Sequence, residues 1–296
     1  MLQKNSLKMQ GLSLIELMIS MVIGLFLVGG LSSIYMNSKT SDKMRAQVSE
    51  MEENARTALI TMRQIISHAG YPSERAPLPI EKPFYADADD MPNPACRSGG
   101  TDNTVITNRY IKNKKTANAA VAKRDTMVVV SMLDSPSNAS VGASANITED
   151  CGGAAVEAQC SSDPVEGIYN NSQARVYNYL YINTPSGRRA LTCMGSLGDS
   201  QPIAENIESL QFLYGVSKGE DSLVYRNAKD VDDNNEWGNV IIVQVGILVR
   251  SEKEVLQKEA SKVFLILDEE ITTPKDKRIY RAYTTTIVLP NVSISL

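Results

Sequence analysis

A single histidine, His68, occurs in 296 residues, which excludes a histidine-rich metal site and any pair of catalytic histidines. The four cysteines, Cys96, Cys151, Cys160 and Cys193, contain no CxxC spacing, so a zinc ribbon is excluded as well. The chain also lacks the basic excess that a dedicated nucleic-acid binder needs, because 30 Lys and Arg against 34 Asp and Glu give a formal net charge of -4. What the sequence does contain is a strong segregation of apolar from polar residues.

An uncharged apolar run extends from Leu17 to Met36, a length of 20 residues. About 20 apolar residues are needed for a helix to cross the hydrocarbon core of a membrane. The run is longer than the apolar part of a secretory signal, roughly 7–15 residues, and no Ala-x-Ala site follows it. Residues 1–11 carry Lys4 and Lys8 and no acid, so this end is predicted to stay in the cytoplasm. We therefore predict a membrane-spanning helix over about residues 12–36.

One carboxylate, Glu16, stands at the front of this apolar run. Charged groups at such a depth are costly and usually have a partner. If the chain is cut after Gly11, Leu12 carries the new α-amine and Glu16 becomes the fifth residue. An ammonium group and a carboxylate attract strongly in a medium of low dielectric constant. The amine of a neighbouring chain is the natural partner when such helices pack side by side.

These residues resemble the class III leader of type IV pilins and type II secretion pseudopilins, in which a short basic leader ends in Gly and a Glu follows at the fifth position. The resemblance implies that a prepilin peptidase cuts between Gly11 and Leu12 and N-methylates Leu12. It also implies that Glu16 acts in assembly. Most members have Phe where this chain has Leu12.

Helical periodicity continues beyond the membrane segment. Gly70-Tyr71-Pro72 then supplies a stop, so we predict one helix over residues 12–69. Its outer half is expected to pack against a sheet, with a coiled coil as the alternative, and His68 is expected to be structural. Apolar residues recur every three or four positions on one face of this helix, at Met44, Val48, Met51, Ala55, Ala58, Met62, Ile65 and Ala69.

Residues 70–296 form the predicted body. Residues 72–103 have the proline content of a loop, and residues 134–172 are rich in Ser, Ala, Asn and Gly and indicate a long insertion. A single helix followed by several strands predicts an α+β fold with an antiparallel sheet. Segments rich in Val, Ile, Tyr and Thr predict strands at Thr126–Leu133, Arg175–Asn183, Arg188–Met194, Glu208–Val216, Asn239–Arg250 and Ile279–Leu289.

In this body, residues 203–215 resemble the segment that leads into a core strand of the PilW family of minor pilins, and residues 239–251 and 281–291 resemble its last two long strands. Residues 54–59 and 69–71, at the helix, resemble the same family. The resemblance implies a pilin-like fold, with a long half-transmembrane helix packed on an antiparallel β-sheet head domain. It implies a non-enzymatic subunit that primes type IV pilus assembly and sits at or near the tip. The type II secretion pseudopilin of the J type is the alternative. It is normally shorter, so the insertion at 134–172 favours the pilus.

The same resemblance implies the partners and the location. The partners would be other minor pilins, the major pilin, the prepilin peptidase and the inner-membrane assembly platform, with a tip adhesin as a further candidate. The precursor would be a single-pass inner-membrane protein with a periplasmic C-terminal domain, and the mature protein would lie in the pilus tip outside the cell. We expect no cofactor, no catalytic residues and no direct contact with nucleic acid.

All four cysteines lie in the exported part, where disulfides form. Four cysteines allow three connectivities. The preferred pairing joins Cys151 to Cys160, which enclose eight residues, and Cys96 to Cys193.

Two charged stretches of the body are weighed as binding sites. Asp230, Asp232 and Asn234 are weak calcium candidates, because alternate oxygen donors can wrap the ion. The EF-hand pattern lacks its Gly and its closing Glu, so a solvated acidic turn is preferred. A solvated face is also preferred for the main basic cluster, which comprises Lys112, Lys114, Lys115, Lys123 and Arg124.

Overall fold

The computed structural model describes residues 13–71, 83–84, 124–132, 150–153, 175–184, 187–195, 199–219 and 222–292. The chain divides into two compact units, Met1–Gln47 and Val48–Leu296. Helix α1, Leu14–Ser67, has 54 residues and contributes to both units. The predicted long N-terminal helix is thereby confirmed.

In the first unit, α1 is apolar and exposed. Its large apolar side chains between Leu14 and Met36 are 55% to 84% exposed. By length and composition this helix can cross a membrane. An apolar helix that is exposed on every side is suited to lie in hydrocarbon or to pack against other apolar helices.

In the second unit, α1 becomes amphipathic and enters the core. Met51, Ala55, Ala58 and Met62 are at most 1% exposed, as the predicted stripe requires. Near the end of the helix, the apolar spacing predicted that Ile65 would be buried. In the structure Ile65 is half-buried, and its neighbour Ile66 is fully buried. A step of four residues keeps Ile66 on the same face as Met62, so both three- and four-residue steps fit a period of 3.6.

The helix ends as the sequence predicts. Gly70 has a φ of +70°, in the left-handed region that glycine adopts without strain, and its N–H donates to the carbonyl of Val130 at 2.9 Å. The Nδ1–H of His68 donates to the carbonyl oxygen of Gln64 at 2.6 Å. His68 therefore has a structural role at the last turn.

Antiparallel sheets follow the helix, and this confirms the α+β fold class. One sheet has the order β1-β2-β3-β4, another has the order β10-β7-β5-β6, and β8 and β9 form a hairpin. The described strands are β1 Met127–Met132, β2 Arg175–Asn183, β3 Ala190–Met194, β4 Ser200–Glu205, β5 Ile207–Ser217, β6 Leu223–Arg226, β7 Val240–Arg250, β8 Val263–Ile266, β9 Glu269–Thr272 and β10 Tyr280–Val288.

One continuous core joins the outer half of α1 to both four-stranded sheets. Alternate residues of β5 and β7 face it, among them Phe212, Tyr214, Val243 and Val245. Tyr214 is fully buried and stacks edge-on against Trp237, with ring centroids 5.0 Å apart. Side chains alternate across a strand, so one face of each sheet supplies this core.

Strands β4, β6, β8 and β9 were not predicted, and neither was a short helix, α2 Ala228–Asp233. All of them are short. Strand β4 has the mostly exposed sequence SQPIAE, and β6 has only four residues. Such segments are too short to produce a periodic signal, and they are held by pairing with neighbouring strands.

Candidate functional site

Glu16 lies in the first turn of α1 and is exposed. The helix begins where the carbonyl of Ser13 accepts hydrogen bonds from the N–H groups of Glu16 and Leu17, at 3.0 and 3.1 Å. A carboxylate in a first turn is favoured by the helix dipole. No basic side chain among the described residues pairs with Glu16. The predicted cleavage residues Gly11 and Leu12 lie outside the described residues.

In the apolar half of α1, serine hydroxyls donate hydrogen bonds to backbone carbonyls of the same helix. The hydroxyl of Ser20 donates to the carbonyl of Glu16 at 2.9 Å, and that of Ser32 donates to Val28 at 2.7 Å. Hydroxyls satisfied in this way do not need water, so the helix can lie in lipid. Gly29 and Gly30 have no neighbouring atom within 4 Å of an added Cβ. Small residues of this kind let apolar helices approach closely.

The preferred cysteine pairing is wrong. Cys151 forms a disulfide with Cys193, with Cα atoms 5.8 Å apart and 42 residues of sequence separation. Cys193 is a buried residue of β3, an interior strand of its sheet. Cys96 and Cys160, the other members of the predicted pairs, lie outside the described residues.

Cys151 is held in place by contacts with residues that are far from it in the sequence. Its N–H donates to Oδ1 of Asn178, on the strand next to β3, at 2.9 Å. The turn at residues 150–153 packs against the end of β3. The carboxylate of Asp150 occupies the position that a Cβ on Gly195 would take. Sequence spacing favoured the nearer Cys160, whereas docking of this turn against the sheet places Cys193 beside it.

The calcium candidates do not converge. Asn227 Oδ1 caps α2 by accepting the N–H of Asp230 at 2.9 Å, so Asp230 and Asp232 lie two positions apart on a helix and do not share a face. Asp232 instead accepts a hydrogen bond from Nε1 of Trp237 at 3.0 Å, and Asn234 donates to the carbonyl of Asp230. In the described part of the chain, no group of three or more His, Cys, Asp or Glu could hold a metal.

The acids from Asp230 to Asp233 are exposed, as the preferred solvated acidic segment requires, although they lie on a short capped helix and not in a turn. Asp233 forms an exposed ion pair with Lys229. Glu236 differs, because it is buried and pairs with Lys218 and with Arg226, whose Nε lies 3.3 Å from Glu236 Oε2.

The sequence did not single out Glu208 as a charged site. Glu208 is 2% exposed and pairs with Arg189 and Arg250, which come from two other strands or their ends. A signal existed, because Glu208 lies within the predicted strand that continues into the apolar residues Leu210, Phe212 and Leu213. A buried carboxylate requires cationic partners, but the sequence does not identify them.

An exposed apolar N-terminal helix and an antiparallel α+β head fit the class of membrane-anchored proteins. The model of the prokaryotic N-terminal methylation motif matches residues 7–32, and this fits a membrane-anchored pilin. The family model described as Type IV Pilus-assembly protein W matches residues 176–291, about two fifths of the chain. Both matches agree with the resemblance to PilW-like type IV pilus proteins that the sequence predicted.

One solved structure to which the chain is similar is a type IV-like pilin from Thermus thermophilus. The TM-score is 0.38 and the identity 11%, over 82% of this chain and 96% of that chain. No match was found among curated proteins. Pilins in general assemble with other pilus components, and the two family-model matches place this chain among proteins of that kind.

Proposed function

We propose that this protein is a minor pilin, a non-enzymatic subunit that primes type IV pilus assembly and sits at or near the tip. One observation carries the proposal: a methylation motif at residues 7–32 and a PilW match at residues 176–291 occur in one chain whose α1 is apolar and exposed from Leu14 to Met36. No described residue buries this part of the helix. Its burial must come from lipid first and from other subunits later.

Processing prepares the helix for assembly. The Lys-bearing leader stays in the cytoplasm, the head enters the periplasm, and the prepilin peptidase cuts between Gly11 and Leu12 and methylates Leu12. The subunit then leaves the inner membrane through the assembly platform and joins other minor pilins and the major pilin, with a tip adhesin as a further partner. Before assembly the protein is a single-pass inner-membrane protein, and afterwards it is extracellular.

Glu16 selects the neighbour in this mechanism. Its carboxylate lies in the first turn among exposed apolar side chains such as Ile15 and Leu17. The α-amine of Leu12 in an adjacent subunit supplies the opposite charge. In a dry environment the attraction is strong, but the loss of hydration of both ions offsets much of it. A net contribution of about 1–3 kcal/mol corresponds to roughly ten- to hundredfold in affinity.

The test replaces Glu16 by Gln, which keeps the shape and removes the charge. We expect Glu16→Gln to be cut and inserted normally, but to co-purify with co-expressed minor pilins roughly ten- to hundredfold less. Glu53→Gln is the matched control, because Glu53 is an exposed acid on the same helix, outside the apolar segment. Detergent extracts at matched expression, with partners quantified by mass spectrometry, provide the measurement.

Equal recovery of partners with Glu16→Gln and Glu53→Gln would contradict the role of Glu16 in assembly. An uncut, unmethylated N-terminus in the wild-type protein would contradict the pilin assignment itself, and would favour a single-pass envelope enzyme or sensor. The type II secretion pseudopilin of the J type shares this chemistry, but the PilW match does not favour it.

A further inference from the structure

Strand β10, Tyr280–Val288, is a long and regular edge of its sheet. It pairs with β7 over nine residues without a bulge, and no other described strand pairs with it. It contains no proline, and its one charged residue, Arg281, is paired with Glu52. Sheet edges are normally short, bulged, charged or interrupted by proline, because they can otherwise pair with another chain. The opposite edge follows this rule, since β6 has only four residues.

The backbone groups of alternate β10 residues point away from the sheet. At one end of the strand the carbonyl of Ile279 accepts a hydrogen bond from the N–H of Ser251, and at the other the N–H of Leu289 donates to the carbonyl of Ile241. In an antiparallel pair such bonded positions alternate with positions whose groups face outward. All the outward residues of β10 are exposed, and their outward groups bond to no described residue. They are Ala282, Thr284, Thr286 and Val288.

An open groove of about 440 Å³ lies between β10 and the outer half of α1. Two polar contacts between these elements line it: Nη1 of Arg281 donates to Oε1 of Glu52 at 2.6 Å, and Nη2 of Arg63 donates to Oγ1 of Thr285 at 2.8 Å. None of the described residues that line the groove belongs to β7, so the groove lies on the side of the free edge. Its apolar lining consists of Ala55, Leu59, Ile60 and Tyr283.

Two arginines at this groove, Arg56 and Arg63, have no carboxylate partner. Both are exposed, and the contact that Arg63 makes is to the hydroxyl of Thr285. In the described part of the chain no acid forms an ion pair with either of them, and Glu52, which also lines the groove, is paired with Arg281. A guanidinium pairs most strongly with a carboxylate. The groove therefore combines an apolar lining, an excess of positive charge and a neighbouring row of free backbone groups.

We propose that the free edge of β10 receives an extended segment of another protein, which pairs as an additional strand, places an apolar side chain in the groove and sets a carboxylate beside Arg63. Thr285, the contact of Arg63, lies two positions from Tyr283 of the groove. Side chains opposite these residues lie on the same face of the sheet, so the carboxylate stands two residues from the apolar side chain. Strand addition gains affinity from main-chain hydrogen bonds and specificity from pockets for alternate side chains.

The charges disfavour a second copy of this chain as the occupant. Antiparallel pairing of β10 with itself, centred on Tyr283, would place Arg281 of one copy opposite Thr285 of the other, and hence beside its Arg63. Like charges in opposite positions destabilise a strand pair. A carboxylate at the same position is attracted instead.

The test uses the full chain in detergent and the acetylated, amidated peptide Thr-Thr-Asp-Thr-Val-Thr-Thr. We expect the backbone amide resonances of Ala282, Thr284 and Thr286 to shift saturably and their hydrogen exchange to slow, because the new strand covers them. The peptide with Lys in place of Asp should bind about tenfold more weakly. The peptide with Pro in place of the central Thr should not bind, because it has no N–H to donate to Thr284.

Variants of the chain separate the charge from the strand pairing. Arg63→Gln should weaken binding of the acidic peptide about tenfold. Arg45→Gln should bind as the wild type does, because Arg45 is an exposed arginine of the same helix that does not line the groove. Thr284→Pro should abolish binding, since proline removes an outward N–H and no bond to β7. The indole N–H resonance of Trp237, the single tryptophan, reports whether this variant is folded.

Three results would overturn the proposal. One is the absence of saturable shifts at the outward amides of β10. Another is equal binding of the Asp and Lys peptides, or of Arg63→Gln and Arg45→Gln, which would remove the carboxylate from the site. The third is edge protection that rises with protein concentration without peptide, which would assign the edge to a second copy. The groove and the edge lie in the second unit, so none of these results bears on the test of Glu16.

Discussion

At the scale of single residues, two glycines decide where Cys151 lies. A Cβ on Gly152 would overlap the carbonyl oxygen of Asp199, and a Cβ on Gly195 would overlap the carboxylate of Asp150. The turn at residues 150–153 and the loop after β3 therefore touch at a distance that only glycine allows. This close contact brings Cys151 to Cys193.

We predict that Gly152→Ala destabilises the head and impairs this disulfide. The added methyl group must push the backbone of Asp199 away, at a cost of about 1–3 kcal/mol. Gly187→Ala is the control. Gly187 has a φ of +79° but no atom near its Cβ position, so alanine there costs about 1–2 kcal/mol without moving the turn.

The measurement is the oxidised fraction of Cys151 and Cys193 in a fixed glutathione buffer, together with the urea midpoint. The oxidised fraction should fall in Gly152→Ala and stay at the wild-type level in Gly187→Ala. Equal fractions in the two variants would contradict the role given to the close contact.

At the scale of elements, the disulfide joins a turn that precedes β2 to the interior strand β3. It closes a loop with a sequence separation of 42, much longer than the eight residues between Cys151 and Cys160. On the chain-entropy model, a loop of this length stabilises the folded state by about 4 kcal/mol, and the shorter loop by about 3 kcal/mol. The observed link is therefore the more stabilising of the two.

We predict that non-reducing peptide mapping of the exported protein recovers a peptide joining Cys151 to Cys193. The double variant Cys151→Ser/Cys193→Ser should lose about 4 kcal/mol in its free energy of unfolding. The variant Cys96→Ser/Cys160→Ser is the control, and it should keep the Cys151–Cys193 peptide. Recovery of Cys151 joined to Cys160 would restore the pairing that the sequence favoured.

Helix α1 changes its role along its length because its sequence changes. Between Leu14 and Met36 every face is apolar, whereas from Met51 onward only one face is. Small residues such as Ala55 and Ala58 on that face let the helix axis come close to the sheets. The same element is thus suited to a membrane in one half and packs in the head domain in the other.

At the scale of the whole molecule, the proposed function requires the removal of residues 1–11. We predict that Gly11→Val leaves the full-length precursor in the inner membrane, because a side chain at this position would obstruct the peptidase at the scissile bond. Gly30→Ala is the control: no atom lies within 4 Å of its added Cβ, and it should be cut normally. Mass spectrometry of the N-terminus distinguishes methylated Leu12 from Met1.

Mature protein of normal size from Gly11→Val would contradict the leader assignment. In that case the methylation-motif match at residues 7–32 would describe an anchor that is not processed.

The sequence by itself determined the features that depend on local pattern. An apolar run without charges, a stripe at helical spacing and a terminal Gly70 are sufficient to predict α1, because a helix is built from contacts three and four residues apart. Long strands such as β2 and β7 were predicted nearly to the residue, since each has many β-branched or aromatic residues. The leader motif, with Gly11, Leu12 and Glu16, could also be recognised from the sequence, because its residues lie close together along the chain.

Only the tertiary structure decided which distant residues meet. The partner of Cys151 was set by a turn docking beside β3, and the partners of Glu208 were set by strands that end next to β5. The short strands β4 and β6 are held by pairing with β3 and with the long strand β5, respectively. Such contacts depend on how sheets are ordered and packed, and neither spacing nor propensity along the chain carries that information.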